Sequence, residues 1–171
     1  MLPNIHRISR ILLRVWFSTS SHPVFRVATR ADVDAIADLT NTTFQNAKLM
    51  KGARTSSSQV ARLVDNLDGA VIVAETNNQI IGCIYVEKPD KLYSLTVNEE
   101  WQNQDIGSHL VRTAAVYAKH TLGMTKFQGP VPTSRPDLFE FYARLGSVRT
   151  GIVMDHPEGG GLKVEIVMKE L

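Results

Sequence analysis

The chain is poor in the residues that build disulfide frameworks and thiolate metal centres. Of its 171 residues only Cys83 is a cysteine, which excludes an intrachain disulfide and any zinc site built from several thiolates. The motifs HExxH and GxSxG are absent, as are the phosphate loops GxxxxGK[S/T] and GxGxxG. We therefore expect no metal cofactor and no serine-hydrolase mechanism.

The chain also has a small net charge and few long apolar runs. The formal net charge is +2, and Arg7, Arg10 and Arg14 lie within the first seventeen residues, which contain no acid. The rest of the chain is nearly neutral and lacks the basic patch that nucleic-acid binding requires. Because arginines interrupt the apolar residues near the N terminus, a secretory signal or a membrane span fits poorly. The sequence predicts no nucleic-acid partner and no membrane span, and it leaves the oligomeric state open.

Residues 1–23 have the composition of a targeting segment. Four apolar residues recur there at helical spacing, with arginines between them and a Ser/Thr cluster after them: Ile5, Ile8, Leu12 and Val15. This pattern is typical of a presequence for the mitochondrial matrix, and an ordinary extension of a cytoplasmic protein is the alternative. We expect residues 1–23 to be an extension and residues 24–171 to form one domain.

From residue 24 onward, apolar periodicity and turn residues predict the order β-α-α-β-β-β-α-β-α-β-β, which is a mixed α/β fold. Thr29 and Asp32 are spaced as a capping box, and Asn77-Asn78 is a favourable hairpin turn. The second helix should carry its apolar stripe as far as Leu67 and stop at Gly69. The predicted strands are Phe25–Ala28, Ala70–Glu75, Gln79–Val86, Lys91–Val97, Lys126–Val131 and two that flank the loop DHPEGGG, the second alternating as Leu162, Val164, Ile166 and Met168.

A polar turn stands between the strand that ends in Leu95-Thr96-Val97 and the helix after it. Its centre reads Gln102-Asn103-Gln104-Asp105-Ile106-Gly107. The N terminus of a helix presents unpaired amides and the positive end of a dipole, so it binds phosphate without lysines. This spacing alone is a weak indication of a phosphate site.

The order of elements and four short motifs resemble the GCN5-related N-acetyltransferases (GNAT). The motifs are Leu95-Thr96-Val97 followed by Trp101-Gln102, the RPDLFEFYARLG segment with its FYxxxG pattern, the segment IIGC and the closing strand EIVMKEL. The resemblance covers residues 25 to 171. It implies a mostly antiparallel, partly splayed sheet with helices on both faces.

The resemblance also implies acetyl-CoA as cosubstrate, an amine of a small molecule or a protein as acceptor, and direct transfer between them. Tyr142 of FYxxxG would be the general acid that protonates the leaving thiolate; its alternative role is a core aromatic. Arg135 would steady CoA or an acceptor carboxylate, or lie in solvent. The residues that the resemblance assigns to cofactor binding are Leu95, Val97, Gln102, Asn103, Gln104, Asp105, Ile106, Gly107, Ser108 and Arg135.

Two positions depart from the family pattern: Asp105 replaces a glycine, and Ser147 replaces an aromatic residue. Aspartate tolerates left-handed backbone geometry, and it is also a favoured N-cap. We expect the Asp105 side chain to cap its own helix and thereby to weaken the phosphate site. A catalytically silent module that binds CoA or a partner is the alternative function.

Three further side chains are less favoured as functional groups: Cys83, His156 and Glu158. Cys83 lies in an apolar strand, where core packing is favoured over acyl transfer because burial raises a thiol pKa. His156 and Glu158 stand in a loop that borders the acceptor site in this family, yet loop polarity alone explains both. The acceptor stays open among polyamines, amino acids, antibiotic-like amines and protein lysines.

Overall fold

The computed structural model describes residues 22–47, 52–156 and 161–171. The predicted targeting segment, apart from residues 22 and 23, and Glu158 lie outside these ranges. The helices are α1 (Val33–Asn46), α2 (Ser57–Val64), α3 (Ile106–His120) and α4 (Pro136–Arg144), with 3₁₀ turns at Arg30–Asp32 and Glu99–Trp101. The strands are β1 (Val24–Val27), β2 (Gly69–Thr76), β3 (Gln79–Glu87), β4 (Lys91–Val97), β5 (Lys126–Pro132), β6 (Val148–Asp155) and β7 (Lys163–Glu170).

One seven-stranded sheet runs in the order β1-β2-β3-β4-β5-β7-β6, and every neighbouring pair is antiparallel except β4 and β5. The parallel strands β4 and β5 share a single register pair, Lys91 with Gln128. A Cβ atom on the next residue, Gly129, would stand 2.1 Å from the Leu92 carbonyl oxygen, so only glycine permits this close contact. The two strands therefore touch at one end and splay apart from there, as predicted.

Helices cover both faces of the sheet, which confirms the predicted fold class. Because side chains alternate along a strand, Ile72 and Ala74 of β2 face one core while Val71 and Val73 face another. The first core includes residues of α3 and contacts α4, and the second includes residues of α1 and α2. No helix within the described ranges is long and apolar enough to span a membrane.

Two features predicted from short sequence patterns are confirmed. Thr29 and Asp32 form the predicted capping box, in which the Thr29 amide donates to the Asp32 carboxylate at 2.7 Å. Asn77 and Asn78 have φ values of 50° and 60° between β2 and β3, as a type I′ hairpin turn requires.

The predicted end of the second helix was wrong. Helix α2 stops at Val64, Leu67 is 95% exposed, and Gly69 begins β2. The side chain of Asn66 accepts a hydrogen bond from the Asp68 amide at 3.0 Å. Such an Asx turn offers the backbone an alternative to continuing the helix.

The clean alternation predicted for the last strand is also interrupted. In β7 the buried residues are Val164, Glu165 and Val167. An irregularity in β6 between Arg149 and Val153 shifts the register opposite this point. The Glu165 carboxylate accepts hydrogen bonds from the Arg149 guanidinium and from the Gly151 amide, and this pairing allows an acid at a buried position.

Candidate active site

The predicted phosphate turn forms, but Asp105 does not cap its helix. Asp105 is exposed and left-handed, with φ 62° and ψ 6°, and its side chain makes no hydrogen bond to the first turn of α3. A side-chain cap requires an N-cap residue in the extended region, and the left-handed backbone aims the carboxylate elsewhere. The prediction of a side-chain cap was therefore wrong, whereas the predicted tolerance of left-handed geometry is confirmed.

The first amides of α3 face away from the body of the helix. Helix geometry leaves them without intrahelical acceptors, and the first backbone bond at this end runs from the His109 amide to the Asp105 carbonyl at 3.0 Å. Ile106 is buried, while Gly107 and Ser108 are partly buried. The end of α3 can accordingly present backbone N–H groups to an anion.

Two glutamines brace the turn instead of projecting from it. Gln102 donates through Nε2 to the Val97 carbonyl at 3.0 Å, and Gln104 donates through Nε2 to the Glu100 carbonyl at 2.9 Å. Asn103 is exposed and left-handed, with φ 60°. Of these predicted cofactor residues, Gln102 and Gln104 stabilise the backbone that would bind phosphate, because their side-chain amides donate to carbonyl groups of the turn.

Strand β4 carries a bulge beside the gap between β4 and β5. Ser94 and Leu95 together oppose the single residue Ile84, and Ser94 has φ 58°. Beyond the bulge the Asn98 amide donates to the Ile81 carbonyl of β3 at 2.9 Å. Because hydrogen-bonding direction alternates along an antiparallel strand, the backbone groups of Val97 point away from β3 and toward the gap.

The end of β4, the start of α3 and the helix α4 meet at one glycine. A Cβ atom placed on Gly107 would lie 3.4 Å from the Phe141 ring and 3.8 Å from a Val97 methyl group. Phe141 was not singled out in the sequence, although it precedes Tyr142 in the FYxxxG motif. This contact brings the predicted phosphate turn, the predicted strand residues and the predicted acid into one region.

Tyr142 is partly buried against the core that also contacts Leu95, Val97 and Trp101. Its ring packs edge-to-face on Phe141, with ring centroids 5.0 Å apart. Burial raises the pKa of Tyr142 to about 12. The phenol therefore stays protonated at neutral pH, which is the state that a general acid needs.

Arg135 is oriented by its own helix. It is the N-cap residue of α4 and donates from Nε and Nη2 to the two carboxylate oxygens of Asp137 at 2.9 and 2.6 Å. Its contact with CoA stays a prediction, because the guanidinium is already held by an acid.

A cavity of about 340 Å³ lies on the opposite face of the sheet, between α1, α2, β3 and β4. Ser94 of the bulge forms part of its wall, so the cavity reaches the splayed strand. Cys83 also lines it, and burial raises the pKa of that thiol to about 11, which supports core packing over nucleophilic chemistry. Its lining is otherwise Ile36, Thr40, Arg54, Thr55, Gln59, Val60, Arg62, Leu63, Val71, Ile84, Tyr85 and Tyr93.

Arg54 and Tyr93, from distant parts of the chain, both line this cavity, and His156 lies within electrostatic reach of Arg54. The charge of Arg54 bears on Tyr93 of β4 and on His156 at the end of β6. Burial lowers the pKa of His156, and the positive charge of Arg54 lowers it further. Sequence reasoning missed Arg54 and Tyr93, since they belong to no motif and converge only in the folded chain.

Ring packing and hydrogen bonds fix the two tyrosines of the cavity, Tyr85 and Tyr93. Tyr85 and Tyr93 pack edge-to-face with centroids 4.7 Å apart. Asn66 donates to the Tyr85 hydroxyl and to the Glu87 carboxylate, at 2.8 Å in each case. Burial raises the pKa of both tyrosines, so their hydroxyl groups stay neutral.

Across the described part of the chain, no group of three or more His, Cys, Asp or Glu side chains is arranged to hold a metal ion.

Comparison with known proteins agrees with this geometry. Residues 68–146 match the acetyltransferase (GNAT) domain family. That segment contains β4, the phosphate turn, α3 and the FYxxxG motif. No curated protein matches the chain in sequence.

Solved structures share the fold at low sequence identity. A GNAT-family acetyltransferase from Streptococcus pneumoniae has a TM-score of 0.69 and 16% identity, covering 87% of this chain and 99% of that one. The PaiA N-acetyltransferase from Thermoplasma acidophilum, in complex with coenzyme A, has a TM-score of 0.68 and 18% identity, with 87% and 99% covered. The spermidine N-acetyltransferase from Vibrio cholerae, in complex with CoA and spermine, has a TM-score of 0.70 and 17% identity, with 88% and 96% covered.

The splayed sheet, the turn at the start of α3 and the domain match define an acetyltransferase fold. The family match covers residues 68–146, and the fold of the chain is that of the GNAT-family acetyltransferases.

Proposed function

We propose that this protein transfers an acetyl group directly from acetyl-CoA to a primary amine. The observation that carries the proposal is the convergence at Gly107, where the phosphate turn, the end of β4 and the helix of Tyr142 come together. These are the parts that the transfer needs: an anion site, an edge of strand beside a gap, and an acid.

The residues present fit CoA. The exposed Asp105 side chain leaves the amides of α3 uncovered, so the backbone from Gln104 to Ser108 would hold the pyrophosphate. The splayed edge of β4 would pair with the pantetheine arm through backbone groups near Leu95 and Val97. Acetyl-CoA supplies the acetyl group as a thioester, which an amine attacks without help from a metal.

Two groups of the chain would act on the reacting atoms. The Val97 N–H points into the gap and would stabilise the charge that develops on the carbonyl oxygen. As the new C–N bond forms and the C–S bond breaks, Tyr142 would donate its proton to the sulfur that leaves. The proton that the acylated nitrogen loses would pass through solvent and restore the phenol. Its raised pKa keeps that proton in place over the whole neutral range.

The cavity on the other face of the sheet is the acceptor site in this proposal. It reaches Ser94 at the bulge of β4, next to the strand residues proposed to hold the thioester. Its volume is at the low end of ligand pockets, which favours a small amine.

Replacing Tyr142 with phenylalanine tests the catalytic assignment. Tyr142→Phe removes the donor and keeps the ring, so we expect kcat to fall about 100-fold or more. CoA affinity should be nearly unchanged, because the hydroxyl acts on the departing sulfur. Single-turnover rates with an amine panel and calorimetric CoA binding give the two readouts.

Tyr117→Phe in α3 is the matched control, since it removes a hydroxyl group from another partly buried tyrosine. It should leave both readouts unchanged. Equal loss of rate in the two variants would remove Tyr142 from the mechanism. CoA binding without transfer to any amine in the wild-type protein would favour the silent binding module instead.

A further inference from the structure

We propose that the acceptor is a small amine that also carries a carboxylate, and that Arg54 binds this carboxylate. The inference rests on the proposed transfer function, because it specifies the second substrate of that reaction. It concerns the cavity between α1, α2, β3 and β4.

Hydrogen bonds of the backbone fix Arg54 at the cavity. The Asn41 side chain of α1 accepts from the Arg54 amide at 2.7 Å and from the Thr55 amide at 2.9 Å. It also donates to the Thr55 carbonyl at 3.0 Å. The guanidinium carbon lies 5.2 Å from the centroid of the Phe44 ring, a cation–π distance. The cation is therefore held in place before a ligand arrives, which lowers the entropy lost on binding.

The guanidinium of Arg54 is partly withdrawn from water. Its Nε atom is buried, and burial lowers the pKa of Arg54, although a guanidinium keeps its charge at neutral pH. Burial lowers the pKa of His156, and the positive charge of Arg54 lowers it further, so Arg54 lies within electrostatic reach of that side chain. A carboxylate can bind a guanidinium through two parallel hydrogen bonds, and such pairs gain strength where water is excluded.

The positive charge of the residues that line the cavity disfavours a polycation as ligand. Among the described residues that line the cavity, Arg54 and Arg62 are charged, and there is no aspartate or glutamate. The nearby carboxylate of Glu87 accepts hydrogen bonds from Asn66 and Lys91 behind the tyrosines. The Vibrio cholerae enzyme is a spermidine acetyltransferase bound to spermine, whereas a polyamine in this cavity would meet two arginines.

The rest of the lining favours an apolar body between the amine and the carboxylate. Ile36, Val60 and Leu63 form one wall, and the rings of Tyr85 and Tyr93 form another. An amino acid with an apolar side chain has all three features: an amine, an apolar body and an anionic group.

The test compares amino acids with their carboxamides, which keep the amine and the side chain but lose the charge. Leucine, methionine and phenylalanine, their three amides and spermidine are each offered with acetyl-CoA, and kcat/KM is corrected for the unprotonated amine. We expect each acid to exceed its amide by about tenfold or more, as a charge-assisted pair is worth. Spermidine should be the poorest acceptor.

Arg54→Gln should remove this preference, lowering kcat/KM for the acids about tenfold or more while changing that for the amides little. Arg112→Gln is the control, because it makes the same change of charge at an exposed position of α3. It should keep the preference, and thermal melting checks that both variants are folded. The comparison of acids with amides needs no variant.

Amides or spermidine that are acetylated as well as the acids would overturn the inference and leave the transfer function standing. An Arg54→Gln variant that keeps the full preference would also overturn it. If no amine is acetylated while CoA still binds, the transfer function itself fails and the inference fails with it.

Discussion

At the scale of single residues, Asp105 meets the backbone requirement of the turn but adds a negative charge where the proposed ligand is an anion. The turn before α3 needs a left-handed residue, and the GNAT pattern places glycine there because glycine has no Cβ to clash. Aspartate adopts this geometry, with φ 62°, so the turn forms while a carboxylate is added at its surface. The cost falls on the charge of the site and not on its geometry.

Two substitutions of Asp105 separate these effects. Asp105→Gly should tighten CoA binding roughly five-fold at low salt, because a like charge leaves the neighbourhood of the pyrophosphate, and the gain should shrink as salt is added. Its free energy of unfolding should not fall, since no side-chain cap is lost. Calorimetry at two salt concentrations measures the first effect and thermal melting the second.

Asp105→Ala is the companion variant. It also removes the charge, but alanine in a left-handed conformation costs about 1 kcal/mol or more, so its stability should drop below that of Asp105→Gly. Unchanged CoA affinity in both variants would mean that the carboxylate is too far from the pyrophosphate to matter.

At the scale of secondary-structure elements, an ion cluster ties the entrance of α1 to the outer strands. Arg26 of β1 donates to both Asp32 oxygens at 2.8 Å and to Glu75 of β2 at 2.7 Å. The hydrogen bonds from Arg26 lower the pKa of Asp32 to about 2, against an ordinary value of 3.8, although burial opposes the shift. The Asp32 carboxylate also completes the capping box with Thr29.

This cluster predicts an acid-sensitive contribution to stability. Because the folded pKa is depressed, the contribution is complete above pH 4 and is lost as the pH falls toward 2, by about 2 kcal/mol. Asp32→Asn should therefore lower the free energy of unfolding by about 2 kcal/mol or more at pH 7, and the difference from wild type should shrink below pH 4. Denaturant titrations at several pH values measure it.

Asp137→Asn is the matched control, since Asp137 also pairs with an arginine but its side chain is 59% exposed. Exposed pairs contribute little, so this variant should change stability by less than about 1 kcal/mol. An Asp32→Asn variant as stable as Asp137→Asn at pH 7 would contradict the assignment.

Sequence reasoning succeeded where neighbouring residues decide the structure. The Asn77-Asn78 turn and the Thr29–Asp32 capping box are settled within four residues, and both formed as predicted. The position of Leu67 was misjudged because the Asx turn of Asn66 competes with the helix at the same place. Apolar spacing carries no information about that competition.

The cavity proposed as the acceptor site could not be predicted from the sequence, because it depends on contacts between residues far apart in the chain. Arg54 and Tyr93 come from separate parts of the chain, and both line the cavity only because of how α1, α2 and β4 are arranged in the fold. The cap predicted for Asp105 failed because residue type alone does not give φ and ψ. The family motifs located the turn and Tyr142, while the roles of both stay predictions.

At the scale of the whole molecule, we propose that the N-terminal segment directs the protein to mitochondria. Fusing residues 1–21 to a fluorescent reporter should produce mitochondrial fluorescence, because the segment is amphipathic, rich in arginine and free of acids. Replacing Arg7, Arg10 and Arg14 with glutamine is the control and should abolish the localisation. A diffuse signal from the unaltered fusion would count against the proposal.

The single register pair between β4 and β5 has a consequence for how the domain coheres. Strands β1 to β4 form one half of the sheet and β5 to β7 the other, and among the described residues a single register pair, Lys91 with Gln128, joins them. A ligand bound in the gap would contact both halves of the sheet and link them. Cofactor binding would then stabilise both halves together, and it should slow amide exchange along the two strand edges that face the gap.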